Sequence, residues 1–315
     1  MEQKELFHVK KPGIMTTFQD MGRTGYQRFG VPVSGAMDPF ALQVANILVG
    51  NPRDTVALEV TLIGPTLEVL EPMTIAITGA NLNPKVNNVS VGMWKPIRLE
   101  AGDVLTFGQH HEGVRAYIAV SGGVDAPTIF GSKSTDMKSG FGSMLEKGTV
   151  IKGDSDNREV ASLVGLSQKV VPTYAKSVKV GVIEGPHTDL FTEEGRTRFF
   201  DTVHVVDANS NRMGYRLASE PVTLKEGSDI FSDAIPFGGI QIPRNGQPII
   251  LMADRQTTGG YPRIGTVISA DIPKLAQLVP KGEIQFYPIS VEEAQDRYIK
   301  MEQFLYQLEV FRRYV

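Results

Sequence analysis

Residues 248–269, PIILMADRQTTGGYPRIGTVIS, decide the fold. An apolar run at 248–253 and a second at 264–269 flank a polar segment holding Gly259, Gly260 and Pro262, so two strands are joined by turns with no room for a helix. The same signature recurs outward from this stretch, at residues 74–78 (TIAIT), 104–107, 115–120 (RAYIAV), 178–183, 203–206 and 283–289, each bounded by glycine, proline or asparagine. Short β-type runs separated by turn residues form compact barrels or sandwiches and not alternating βαβ units. The chain reads as mainly β with a few short helices.

Three helices carry local signals. Asp38 can cap and Pro39 can take the first helical position, after which Ala41, Val44, Ala45 and Leu48 share one face before Gly50 stops the turn. A short helix is expected over 271–279, ended by Pro280. A last one starts after Ser290, whose hydroxyl forms a capping box with Glu293, and carries Val291, Ala294, Tyr298, Met301, Leu305 and Leu308 on one face. The polar, turn-rich stretch between 152 and 177 is the expected boundary, giving domains at 1–160 and 175–315, the second including the C-terminal helix.

Composition narrows the chemistry. The 315 residues suffice for two ordinary domains, and 41% hydrophobic with 21% charged residues is ordinary for a globular chain. The absence of cysteine removes thiol nucleophiles, disulfides and Cys-containing zinc sites, leaving oxygen and imidazole chemistry. A formal charge of −3 without a basic run argues against nucleic acid, and no stretch reaches a membrane span of about 18 apolar residues. The N-terminal residues lack an apolar leader core, so the expected location is the cytoplasm. Neighbours His110 and His111 project to opposite sides of a strand, and no metal site is expected.

Neither a G-x-S-x-G elbow nor an H-E-x-x-H helix is present, and GSKST at 131–135 has the wrong spacing for a phosphate loop and reads as a turn. What stands out are segments dense in arginine, aspartate, glutamine and threonine and punctuated by glycine, at 16–26, 31–38, 211–216 and 253–263. Arginine forks match carboxylates, glutamine, threonine and tyrosine orient amides, and glycine lets the backbone approach a small planar ligand. The same residues also pin loops internally. Candidate binding residues are Arg255, Gln256, Thr257, Tyr261, Arg212 and Arg216 in the second half and Gln19, Asp20, Arg23 and Ser34 in the first. For Asp20 and Arg23 an internal clasp and a ligand contact are both open, and Asp38 also reads as a helix cap.

Taken in order, PGIMTTFQDMGRTGY (12–26), GVPVSGAMD (30–38), ANILVGN (45–51), ALEVTLIGPTLEV (57–69), RAYIAVSGGVD (115–125), GSKST, NRMGYRL (211–217), GGIQIPRNGQPIILMADRQTTGGYPRIG (238–265) and AQLVPKGEIQF (276–286) resemble the KipA-like family, also described as the C subunit of 5-oxoprolinase or the carboxyltransferase (allophanate hydrolase subunit 2) family. The resemblance implies two tandem cyclophilin-like β-barrel domains. It also implies partners, a KipI-like B subunit and a LamB/YcsF-type A subunit, in an ATP-dependent enzyme that opens 5-oxo-L-proline to L-glutamate. ATP would then be bound mainly by the partner subunits, and this chain, inactive alone, would orient the substrate. The residues expected on its anion are Arg255 and Arg212, a role read from their chemistry and not carried over from the family. Related urea carboxylases imply an alternative, the carboxyltransferase part of a biotin-dependent system. Asp136-Met137-Lys138-Ser139 lacks the second methionine of a biotinyl site, and no biotin is expected on this chain. The family name implies a third reading, a regulatory protein antagonising a KipI-like kinase inhibitor, for which Phe304, Phe311 and Tyr314 on the last helix are the candidate surface.

Overall fold

The computed structural model describes residues 3–154, 165–225 and 230–314. Contacts divide the chain into two compact units, Met1–Arg23, Ser34–Tyr174 and Phe304–Val315 in the first, Thr24–Val33 and Ala175–Gln303 in the second. Both are built mainly from short strands.

In the first unit the strands fall into two antiparallel sheets around one core. One orders its strands Val150–Gly153, Lys4–Lys11, Thr66–Val69, Val104–Phe107, Pro84–Val86 and Val89–Ser90; the other orders Met15–Gln19, Ala57–Thr61, Glu112–Val120, Met73–Asn81 and Pro96–Leu99. Alternation along these strands sends Leu58, Val60, Ile75, Ile77 and Ile118 inward against Phe7, Leu67 and Leu105 of the facing sheet. Each such buried side chain contributes roughly 1.5–3 kcal/mol. The opposite face of the second sheet presents Ala57, Ala76 and Ala119, and these small residues let helix α1 (Pro39–Leu48) lie close upon it. Asp38 Oδ1 accepts from Ala41 N–H at 2.9 Å, and Pro39 fills the first turn, as the sequence predicts.

The second unit is a closed barrel of strands Ser177–Glu184, Arg263–Val267, Gly239–Gln241, Ile249–Leu251, Gly214–Ala218, Val203–Val206 and Glu283–Pro288. Its first and last strands close it by pairing in parallel, Ser177 opposite Glu283 through Val182 opposite Pro288. Helix α2 (Glu193–Asp201), not anticipated from sequence, is capped by Thr192, whose Oγ accepts from Gly195 N–H at 3.0 Å. Helix α3 (Ile272–Ala276) ends three residues before the expected Val279, and the buried Asp271 carboxylate accepts from Gly181 N–H at 2.8 Å, anchoring the strand in place of capping the helix. Helix α4 (Val291–Tyr314) has the anticipated capping box, with Ser290 Oγ accepting from Glu293 N–H at 3.1 Å.

Two segments depart from the expected division at 160/175. Residues 24–33 group with the second unit, and the end of the last helix groups with the first, where Leu305 joins the α1 cluster and Arg312 Nε donates to Leu48 O at 3.1 Å. Residues 155–164, part of the expected linker, lie outside the described residues.

The barrel encloses one histidine. His204 is fully buried against the stacked Phe199 and Phe286 rings, and its Nδ1 and Nε2 meet Ser219 Oγ at 3.0 Å and Phe199 O at 2.8 Å. Burial holds its pKa below the usual 6.5, against the opposing pull of the Phe199 carbonyl. The unfolded chain therefore takes up a proton first as pH falls. The stabilisation is fully present above pH about 6.5 and is lost as pH drops through the depressed folded value. Barrel stability should accordingly fall between pH 7 and 5 by up to about 1.4 kcal/mol per pH unit. Urea denaturation of His204→Asn across this range should show a flatter profile, and an unchanged slope would remove His204 as its source.

Candidate functional site

In the first unit, three glycine-rich segments singled out in the sequence meet at the end of strand Met15–Gln19. The Asp20 carboxylate is the hub: Oδ1 accepts from Gly22 N–H at 2.7 Å, Ser132 Oγ at 2.7 Å and the Ser134 hydroxyl, and Oδ2 accepts from Lys133 N–H at 2.7 Å. Arg23, 1% exposed, donates to the carbonyls of Ile129 and Ser134 and lies 4.9 Å from the Phe141 ring centre. Asp20 and Arg23 thus form a clasp on residues 129–135. GSKST is correspondingly no simple surface turn, since Ser132, Ser134 and Thr135 are buried. Beside the clasp is a cleft of about 290 Å³ lined by Asp20, Asp54, Gly122, Gly123, Asp125 and Lys133. Lys133 Nζ donates to Asp125 at 2.7 Å and holds that carboxyl below its ordinary range.

The neighbouring turn is strained. Ser34 has φ 55° and Gly35 φ 88°, so two successive residues are left-handed, which costs about 1 kcal/mol at the serine. A β-carbon on Gly35 would lie 2.9 Å from Gly22 N. The turn is held from three sides: Ala36 N–H donates to Asp20 O at 2.9 Å, Met37 N–H to Glu59 Oε2 at 2.9 Å, and Asp38 N–H to the Tyr117 hydroxyl at 2.8 Å. The Tyr117 hydroxyl in turn donates to Glu59 Oε2 at 2.7 Å, with Arg115 3.9 Å from Oε1. Burial, then the Glu59 charge, push the Tyr117 phenol well above its ordinary value, so it stays protonated and bridges the two acidic residues. Glu59, Arg115 and Tyr117 were not among the candidates. Their signal is a polar residue recurring on one face of otherwise apolar strands, ALEVT and RAYIAV.

Gln19 is fully buried in the same region, its Nε2 donating to Thr135 O at 3.0 Å and Thr17 Oγ at 3.1 Å. Its Oε1, like Ser34 Oγ, is buried without a hydrogen-bond partner among the described residues.

In the second unit, Arg212 has its fork on Asp254, Nε to Oδ2 at 2.8 Å and Nη2 to Oδ1 at 2.9 Å, with both side chains about nine-tenths buried. The expected anion partner of Arg212 is thus an internal carboxylate, and the pair ties segment 211–216 to segment 253–263. Arg255 is different. Its Nε donates to Ile235 O at 3.0 Å and its Nη1 to Met252 O and Ala253 O at 3.3 and 3.4 Å, with the guanidinium 5.3 Å from the Phe237 ring centre. No described carboxylate pairs with it, and burial lowers its pKa to about 10 against the pull of nearby Asp254. It remains charged at neutral pH, fixed by three carbonyls with Nη2 uncommitted among the described residues.

Gln256 is exposed and Thr257 half-buried, the latter's carbonyl accepting from Ile235 N–H at 3.1 Å. Tyr261 and Arg216 come together on another surface, a groove of about 670 Å³ also lined by Asp207, Ser219 and Asn245. Among the described residues no group of three or more His, Asp and Glu side chains is placed to share a metal, and no helix is long and apolar enough to cross a membrane.

Residues 29–288 match the family model of the carboxyltransferase domain, subdomain A and B. The chain belongs to this carboxyltransferase-domain family. Relatives of the domain include the C subunit of 5-oxoprolinase from Escherichia coli, 35% identical over 96% of this chain and 99% of its own length, and that of Haemophilus influenzae, 35% identical over 93% and 94%. The crystal structure of the K. lactis urea amidolyase superposes with a TM-score of 0.91 at 32% identity, covering 98% of this chain. The carboxyltransferase-domain chain spans only 20% of that much longer protein.

Proposed function

We propose that this chain is the C subunit of an ATP-dependent 5-oxoprolinase, acting with a KipI-like B subunit and a LamB/YcsF-type A subunit to open 5-oxo-L-proline to L-glutamate. The observation that carries this reading is the match to the 5-oxoprolinase C subunits over nearly the full length of those relatives, against a fifth of urea amidolyase. The residues nearest a phosphate loop do not fit a triphosphate: the Lys133 N–H and the Ser132 and Ser134 hydroxyls all point to Asp20, which would repel phosphate. ATP is therefore assigned to the partner subunits, where it supplies activation of the unreactive lactam. This chain's contribution is orientation. Arg255 is the side chain best suited to a small carboxylate, being a charged guanidinium with no paired carboxylate among the described residues and already fixed by carbonyls.

The test is reconstitution of all three subunits with glutamate release followed over time. Omitting this chain should abolish release, and Arg255→Ala in an assembled complex should lower kcat/KM for 5-oxoproline at least tenfold, mainly through KM. Full activity without the chain would sink the enzyme reading and favour the regulatory one. Unchanged kinetics in Arg255→Ala would remove Arg255 from the site. In the regulatory reading, Phe311 offers an exposed ring and Phe304 stacks on Phe40, while the Tyr314 side chain lies outside the described residues.

A further inference from the structure

Among the buried polar atoms of the first unit that have no hydrogen-bond partner among the described residues are Gln19 Oε1 and Ser34 Oγ, in residues 0% and 5% exposed. Buried polar groups are nearly always paired, so each needs a partner supplied from elsewhere. They flank one hydrogen bond, Ala36 N–H to Asp20 O at 2.9 Å, and so belong to one small region. The orientation of the Gln19 amide is determined by its neighbours: Thr135 O is only an acceptor, so Nε2 must face it and Oε1 must face away. Gln19 therefore requires a donor, while the Ser34 hydroxyl can donate.

We propose that Gln19 Oε1 and Ser34 Oγ form a recognition pair for a small amide, Gln19 accepting from its N–H and Ser34 donating to its C=O. A carboxylate would set an acceptor against Gln19 Oε1. A buried ammonium would need a carboxylate with free oxygens. The two nearby are already engaged, Asp20 by Gly22, Ser132, Lys133 and Ser134, and Glu59 by Met37, Tyr117 and Arg115. A neutral amide needs neither. The conformation of Ser34 points the same way: a left-handed serine, with the backbone N–H groups of Ala36 and Met37 pinned to Asp20 and Glu59, is a strained residue held in place by its surroundings, the pattern of a functional position.

The identity of the amide as a five-membered lactam rests on the function proposed above. The test uses pyrrolidin-2-one, which has the lactam and no carboxylate, titrated into the full chain by saturation-transfer NMR. Wild type should bind it, N-methylpyrrolidin-2-one should bind at least tenfold more weakly for want of the N–H, and Ser34→Ala should weaken the lactam by a similar factor. Ser34→Ala should not lower Tm, and Ser34→Gly should raise it while weakening the lactam equally. No binding to wild type, equal binding of the N-methyl compound, wild-type affinity in both Ser34 variants, or pyrrolidine binding as well as the lactam overturns the pair. If the reconstituted complex releases no glutamate while these differences persist, the function reading fails and the amide pair stands.

Discussion

Asp20→Ala should destabilise the first unit by about 3 kcal/mol or more. The substitution removes one small side chain but strands the Gly22 and Lys133 N–H groups and the Ser132 and Ser134 hydroxyls, which all donate to that carboxylate. Each buried donor left unsatisfied costs about 1–3 kcal/mol, and the residues it holds supply the base on which Arg23 rests. Asp20→Asn should recover less than half, because its NH2 would face a donor where an oxygen stood. Trp94, the single tryptophan, is buried in the α1 cluster of the same unit, so its fluorescence in urea follows this unfolding directly. A loss under 1 kcal/mol for Asp20→Ala would mean that water replaces the carboxylate and the clasp is dispensable.

The second large effect belongs to the Arg212–Asp254 pair. Arg212→Ala should cost about 3–4 kcal/mol, since it leaves the Asp254 carboxylate nine-tenths buried without its fork. Asp254→Ala should cost a similar amount. The double variant should lose clearly less than the sum of the two, because most of each penalty is the charge left behind. Arg212→Lys should rescue only part, as a point charge cannot make two parallel bonds. Far-UV circular dichroism in urea reads the barrel along with the rest of the chain. Additive losses in the cycle would show that the two side chains act independently of one another.

Helix α1 was legible in sequence because Asp38, Pro39 and Gly50 are all local signals, and the capping box of helix α4 is local in the same way. Helix α2 was not, since Gly195 interrupts a short polar segment and its fixing contacts come from the distant strand Glu283–Pro288, where Phe286 stacks on Phe199. Arg255 was readable as a strand-end residue. The pairing of Arg212 with Asp254 was not, because 42 residues separate them. Likewise Glu59 and Tyr117 meet only through the pairing of their strands, a register that periodicity alone does not specify. Composition showed which groups were present, and topology decided which of them were spent on one another.

The parallel closure of the barrel has a consequence for how the chain is made. Ser177 opens the barrel and finds its partner only at Glu283, so the strand that completes the wall is the last of the barrel's strands to leave the ribosome. Until then two strand edges stand open, at Ser177–Glu184 and at Val203–Val206, and the long chain closure between first and last must be met before the wall is complete. A nascent chain stalled before residue 283 is therefore a sticky half-barrel, exposed to pairing with its neighbours on the same message.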